Sequence, residues 1–198
     1  MRTATRDDLA GMVRVLAMAF AHDDPIEEYV FPDESVRHRR APRMLRTMIT
    51  QRFLPAGGAD VAELDGRIVG VLLWYPPGYR PGGMREFLAG PAFLAGMGTA
   101  VGRGIEVDRM MDRAAPAEPH LFNVYLGTDP SVQRSGVGRA LYESFTHRAD
   151  SQGLSLCGVC KDDNVEYYNL FGVERVGTVR LGTDGPELNV MLRRPHPL

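Results

Sequence analysis

The residue types best suited to chemistry lie in the segment Thr128-Asp129-Pro130-Ser131-Val132-Gln133-Arg134-Ser135-Gly136-Val137-Gly138-Arg139. An apolar run, Leu121 to Leu126, leads into it, and a helical pattern with Val137, Leu141, Phe145 and Ala149 on one face leads out. A strand that passes through a glycine-bearing loop into a helix aims free backbone N–H groups and the positive end of the helix dipole at one point, which suits a phosphate. Gly136 and Gly138 let the main chain approach such a group with no Cβ in the way. Taken alone, G-x-G also fits a turn that serves packing only. Rival phosphate loops fit worse. G-x-x-x-x-G-K-[ST] is absent and the single lysine, Lys161, lies elsewhere. The third glycine of a dinucleotide fingerprint is missing, and Gly96-Met97-Gly98 has no strand before it.

Two further patterns could carry chemistry. Cys157-Gly158-Val159-Cys160 is a C-x-x-C, but residues three apart in a strand point to opposite faces, so the sulfurs diverge. The five histidines are scattered along the sequence and supply no zinc spacing. Two buried thiols are the expectation, and no metal. G-x-S-x-G and H-E-x-x-H do not occur.

The surrounding elements must position the glycine loop. Thr5 and Asp8 resemble a capping box, and Leu9, Met12, Val13, Leu16 and Phe20 follow at helical spacing, which predicts a helix over 6–21 that stops at His22-Asp23-Asp24-Pro25. A second helix is predicted over 35–53. Val61 to Leu64 and Arg67 to Tyr75, joined by Asp65-Gly66, read as a hairpin with a type I′ turn. From Gly78 to Gly104 the chain carries eight of its 22 glycines among Met, Phe, Leu and Ala, which predicts helix with breaks continuing to Pro116. Leu121 to Leu126 reads as a strand covered on both sides. A helix closed by Gly153 follows the glycine loop. Strand 154–160, short helix 164–171 and strands 173–181 and 188–192 complete a mixed α/β sheet, expected to form one domain over 1–198.

Composition excludes several classes. The 198 residues are 44% apolar and 24% charged with net charge −2, the profile of a globular protein and not of a basic nucleic-acid binder. Arg37, His38, Arg39, Arg40, Arg43 and Arg46 form a basic run without interleaved aromatics, read as a solvated helix face. Two cysteines are too few for a secreted disulfide scaffold. The N-terminal MRTATRDDLAGM lacks an apolar signal core, and the nearly uncharged stretch 87–102 is too short for a bilayer. A cytoplasmic protein is the expectation.

Gln133-Arg134-Ser135-Gly136-Val137-Gly138 resembles the Q/R-x-x-G-x-G/A signature of the GNAT superfamily of acyl-CoA-dependent N-acyltransferases, and the element order is similar over nearly the whole chain. Within it the chain looks most like the puromycin N-acetyltransferase group. The shared features are Ala4-Thr5-Arg6-Asp7-Asp8, Ala19-Phe20-Ala21, the spacing Asn164, Tyr168, Gly172, and the tail from Gly185-Pro186 through Met191 to Arg194-Pro195. The resemblance implies a GNAT fold, a mixed twisted sheet with helices on both faces. It implies acetyl-CoA as cosubstrate, its pyrophosphate on the N–H groups of Gln133, Arg134, Ser135, Gly136, Val137, Gly138 and Arg139. The pantetheine arm would lie along Leu126, Gly127 and Thr128, as an added strand would, with Asn164 also at the cofactor. It makes Tyr168 the general acid that protonates the departing thiolate. A thiol near ~8.5 and a phenol near ~10 leave that transfer uphill by about 2 kcal/mol. Tyr167 reads as a packing ring.

The implied reaction is acetyl transfer to a primary amine of a small molecule by direct attack in a ternary complex. A homodimer is the usual arrangement for such a fold. Two departures weigh toward an alternative, a catalytically weakened acyl-CoA-binding sensor. Ser135 stands where Arg or Gly is common, and Gly158 stands where the puromycin-acetylating relatives carry Glu, which argues against puromycin itself. The acidic group Asp23, Asp24, Glu27 and Glu28 has two readings: it caps a turn, or it borders the acceptor site and attracts a cationic amine.

Overall fold

The chain builds one seven-stranded sheet in the order β1-β2-β3-β4-β5-β7-β6. The strands are β1 (Arg2–Thr3), β2 (Ala59–Leu64), β3 (Arg67–Tyr75), β4 (His120–Thr128), β5 (Ser155–Cys160), β6 (Glu174–Arg180) and β7 (Glu187–Arg193). Only β4 and β5 run parallel; the other pairs are antiparallel. The helices are α1 (Leu9–Ala19), α2 (Pro25–Val30), α3 (Glu34–Met48), α4 (Leu54–Ala56), α5 (Met84–Met97), α6 (Val101–Ala114), α7 (Val137–Gln152) and α8 (Val165–Asn169). This is a computed structural model; it describes residues 1–79 and 84–196, without the side chains of 84–87.

Alternation along β3 divides the core. Val71, Leu73 and Tyr75 enter a cluster with α1, α3, α5 and α6, while Leu72 and Trp74 pack on the other face against Tyr142, Phe145 and Ala149 of α7. Helices therefore cover both faces, as expected. The predicted hairpin forms with φ of 50° at Asp65 and 74° at Gly66, the positive pair that a type I′ turn demands. Asp8 organises the entry to α1, its carboxylate accepting from the Thr5 N–H at 2.8 Å and from Arg2 at 2.7 Å. Arg2, and then the Thr5 hydrogen bonds, hold that carboxyl down at about 2 against a smaller desolvation effect.

Several elements depart from the sequence reading. β1 was not expected; two residues carry no periodicity. The segment read as a stop also starts α2. Asp24 Oδ1 accepts from the N–H groups of Ile26 (3.1 Å) and Glu27 (2.8 Å), with Pro25 in the first turn, a cap arrangement that six helical residues are too few to announce by pattern. α3 passes through a π-helical stretch, Ile49–Phe53, into α4. The glycine-rich region is helical with a break at Gly98 (φ 61°) between α5 and α6; its residues 80–83 lie outside the described residues. The basic run is not a simple solvated face. Arg37 is buried and donates to the Phe31 carbonyl at 3.0 Å, and Arg40 donates to the Gly96 carbonyl at 3.3 Å. Among the described residues no helix is long and apolar enough to cross a membrane.

Candidate active site

The site begins where the two parallel strands part. The β4–β5 ladder runs only from His120↔Ser155 to Asn123↔Gly158. Beyond Asn123, β4 stays with β3 as far as Thr128, and β5 stays with β7. Neighbours held by different partners separate, so the edge of β4 from Val124 to Thr128 faces a wedge and has no strand on that side. A register shift opposite Leu73 and Trp74 leaves Val124 unmatched in the β3 ladder, the local kink that a bulge gives. Gly158 lies at the apex: a Cβ there would sit 3.1 Å from the Asn123 carbonyl oxygen. A side chain at this position would require the Asn123 main chain to give by a few tenths of an ångström.

At the far end of that edge the chain turns through Pro130–Val132 into α7. The loop is shaped by two left-handed residues, Arg134 (φ 63°) and Gly136 (φ 90°). The first intrahelical bond is Ala140 N–H to the Gly136 carbonyl at 2.9 Å. The N–H groups of Val137, Gly138 and Arg139 thus precede the ladder and have no acceptor within it, as at any helix start. Gly138 faces inward: a Cβ would meet Thr128 Cγ2 and Tyr167 Oη, each at 3.3 Å. The Ser135 hydroxyl donates to the Val132 carbonyl at 2.5 Å, and the Arg139 side chain is engaged with Glu143 at 2.8 Å. Gln133 and Arg134 are exposed. The loop therefore offers main-chain donors, and if a phosphate rests on them, Ser135→Ala should leave its affinity within about twofold, measured by titration calorimetry.

Asp129, which carried no functional expectation, anchors this loop. Its carboxylate accepts from Arg14 at 2.6 Å, from the Ser131 N–H at 3.0 Å and from the Ser131 hydroxyl at 2.7 Å, while Arg14 also donates to the Ile68 carbonyl at 2.6 Å. Arg14 first, and Ser131 second, hold the carboxyl down at about 2. A depressed carboxyl contributes stability that is present above its unfolded pKa of ~3.9 and is lost as pH falls through the folded value. Asp129→Asn should lower Tm at pH 7 by roughly 3–6 °C, the loss of one charged hydrogen bond. That gap should close between about pH 4 and pH 2 in thermal melts.

Tyr168, on α8, stands at the apex end of the wedge. Asn123 Nδ2 donates to its hydroxyl at 3.4 Å, and its ring packs against Tyr142 at 5.1 Å. Burial pushes its phenol above the ordinary value, with Cys160 and Tyr167 adding and Asn123 opposing, so it stays protonated across the neutral range. Asn123 is a buried residue the sequence reading left without a role, and its Oδ1 has no hydrogen-bond partner. Leu126 and Asn164 border the same small cavity as Tyr168. Gly127 instead admits α1: a Cβ there would lie 2.9 Å from Leu16 Cδ2. The Tyr167 ring packs against Tyr168 and Phe171, and its hydroxyl lies 3.3 Å from where a Cβ at Gly138 would sit.

A second and larger cavity, about 490 Å³, lies between α2, α3, α5 and α6 and shares Ile26, Met111 and Tyr125 with the wedge. Glu27 borders it, is 2% exposed, and neither carboxylate oxygen has a hydrogen-bond partner. Burial, and then neighbouring Asp24, push this carboxyl up to about 8 against the pull of Arg37. Cys157 and Cys160 are free and buried on opposite faces, as the strand spacing predicts, and burial raises both thiols, to about 12 and about 11. The histidines are less scattered in space than in sequence. His22, Glu34 and His38 bring potential ligand atoms within 4.8 Å of one another on the exposed surface.

The strand pair thus splits beside a half-buried tyrosine, with a helix N-terminus at the end of the free edge. A model of the Acetyltransferase (GNAT) family matches residues 16–173, and the chain belongs to that family, whose members generally use acetyl-CoA. It is similar to a histone acetyltransferase HPA2 and related acetyltransferase from Corynebacterium glutamicum, at 25% identity and TM-score 0.77, with 100% of this chain and 99% of that chain covered. It shares the fold of the Drosophila melanogaster polyamine N-acetyltransferase (16% identity, TM-score 0.59, 98% of each chain). The ribosomal-protein-S18-alanine N-acetyltransferase of Escherichia coli has the same fold (14% identity, TM-score 0.56, 99% of this chain and 93% of that chain).

Proposed function

We propose that the protein is an acetyl-CoA-dependent N-acetyltransferase acting on a primary amine of a small molecule. The observation that carries the reading is the unpaired edge of β4, with Tyr168 where it starts at Asn123 and the free N–H groups of α7 beyond its end at Thr128. Five residues of strand span roughly 17 Å, a length suited to an extended arm with a thioester at one end and a pyrophosphate at the other. The main chain of Leu126 to Thr128 would hold the arm and the loop from Gln133 to Arg139 the phosphates, with Asn164 alongside. When bound, the thioester supplies an activated acetyl group. Tyr168 then gives its phenolic proton to the departing sulfur, and no covalent enzyme intermediate is required.

A small acceptor is favoured over nucleic acid, because Arg37, Arg40 and Arg52 are engaged inside the fold. Kinship with the puromycin-acetylating group rests on the sequence motifs, and Gly158, where those enzymes carry Glu, argues against puromycin itself. The sensor reading draws on the same Gly158 and on Ser135. Titration calorimetry with acetyl-CoA, followed by thiol release across a panel of primary amines, tests both. No binding of acetyl-CoA would rule out enzyme and sensor alike, and binding with no turnover on any amine would leave the sensor.

A further inference from the structure

We infer that the cavity bordered by α2, α3, α5 and α6 is the acceptor site, that it takes a primary amine on an apolar body, and that Glu27 accepts the proton of that amine. The inference rests on the acetyltransferase reading above and supplies its acceptor.

Four observations support it. The cavity holds about 490 Å³, far beyond the water-sized voids that close-packed interiors leave and within the range of small-molecule sites. It shares Ile26, Met111 and Tyr125 with the wedge that ends at Tyr168, so its occupant adjoins the place where the sulfur departs. Its walls are apolar, with Val30, Met44, Met48, Phe93, Val107 and Met111 prominent. Among the charged residues that also line it, Glu27 is the one 2% exposed with both carboxylate oxygens unpartnered. A carboxylate buried without a donor is costly, and an ammonium or amine N–H is the ligand group that would satisfy it.

The charges that face this space leave Glu27 as the group open to an amine. Arg52 and Asp108 form a two-pronged pair at 2.8 and 2.9 Å. Arg109 and Asp112, of opposite sign, are exposed at the rim. Among the described residues, Asp24 at the N-cap of α2, Arg37 and His38 from α3 and Tyr125 from β4 are titratable or charged groups around Glu27. Asp24 is already used by the Ile26 and Glu27 N–H groups, and Arg37 donates to Phe31. Within the walls a second cation would meet methionines, valines and Phe93, with Asp108 already paired to Arg52 and Asp112 out at the exposed rim. An alkyl or aryl group meets no such cost.

The protons balance. Above about pH 8, where its carboxyl is ionised, Glu27 takes one proton from the ammonium, freeing the nitrogen lone pair; the C–N bond forms at the acetyl carbon as the C–S bond breaks. The sulfur takes the Tyr168 proton, the nitrogen's second proton restores Tyr168, and Glu27 releases its proton to solvent. Ammonium and thioester become amide, thiol and one proton.

The test uses the full chain, acetyl-CoA, and ethylamine, butylamine, hexylamine, 2-phenylethylamine, agmatine and spermidine as probes, with thiol release as readout. kcat/KM is expected to rise from ethylamine to hexylamine, by up to about fourfold per methylene, and to exceed the values for agmatine and spermidine. At about pH 9, where Glu27 is ionised, Glu27→Gln should lower kcat/KM on hexylamine at least 10²-fold, while Tm at pH 7 stays near the wild-type value, because there a neutral amide replaces a neutral carboxyl. Val101→Phe, which fills the cavity from α6, should raise KM for 2-phenylethylamine more than for ethylamine. Agmatine or spermidine as the best substrate, or a full-rate Glu27→Gln, would overturn the inference. Calorimetry on the same samples keeps the two readings apart: retained acetyl-CoA binding with the wrong amine preference defeats this inference alone, and lost acetyl-CoA binding defeats the function on which it rests.

Discussion

Tyr168→Phe should lower kcat by roughly 10² to 10⁴ and leave acetyl-CoA affinity near the wild-type value, the usual worth of a positioned acid. The substitution keeps the ring, its contacts with Tyr142 and Tyr167, and the fold, and removes only the proton donor and the acceptor of the Asn123 amide. Burial refines the expectation read from ordinary pKa values. The phenol is raised above ~10, which by itself makes its proton harder to give. The same low-polarity wedge also disfavours the thiolate that leaves there, so the difference between the two acids is conserved better than either value. The raised phenol also moves any alkaline limb due to Tyr168 beyond pH 10, so the profile below that should have the same shape in both enzymes. Steady-state thiol release and an acetyl-CoA titration decide the matter together. A full-rate Tyr168→Phe enzyme would return Tyr168 to packing.

Gly138→Val should weaken acetyl-CoA binding about 10²-fold, for a reason the structure sharpens. The sequence suggests only that a side chain would occupy the phosphate's space. The structure adds that the Cβ already sits 3.3 Å from Thr128 and Tyr167, so the valine methyls must displace either the floor of the loop or the ligand. Losing two main-chain donors to a charged group, at about 1.5 kcal/mol each, corresponds to that factor. Gly136→Val should act through the backbone instead. Nothing lies within 4 Å of its Cβ position, but its φ is 90°, a conformation that a β-branched residue strains to adopt. The two variants should therefore differ in rescue: Gly136→Asn, which tolerates left-handed backbone better, should recover more affinity than Gly138→Ala recovers if the floor contact is limiting. Equal affinity in Gly138→Val and wild type, by calorimetry, would place the pyrophosphate elsewhere.

Local pattern made much of this molecule legible. Alternation and the Asp65-Gly66 turn gave the β2–β3 hairpin, helical spacing gave α1 and α3, and the glycine spacing from Gln133 to Gly138 marked the loop at the start of α7. These features are encoded by residues close in sequence, whose side-chain period or backbone φ requirement is visible without partners. The glycine-rich region read correctly as broken helix for the same reason. β1 and α2 did not show, because two and six residues carry too little period, and α2 depends on one cap.

The site itself was only half visible. The loop could be named from its glycine spacing, and Tyr168 and Asn164 from the resemblance to the acetyltransferases, but three facts belong to the tertiary structure. The split between β4 and β5 arises because β3 and β7 hold the two strands apart, a competition between pairings distant in sequence. The Arg14–Asp129 anchor joins residues 115 positions apart. Glu27 looked like one of four acidic residues around a turn, and nothing in its neighbours said that it alone would be buried without a partner. A sequence fixes which groups are present and which local conformations they prefer; desolvation, and with it the chemistry of a carboxylate, is set by what the rest of the chain packs around it.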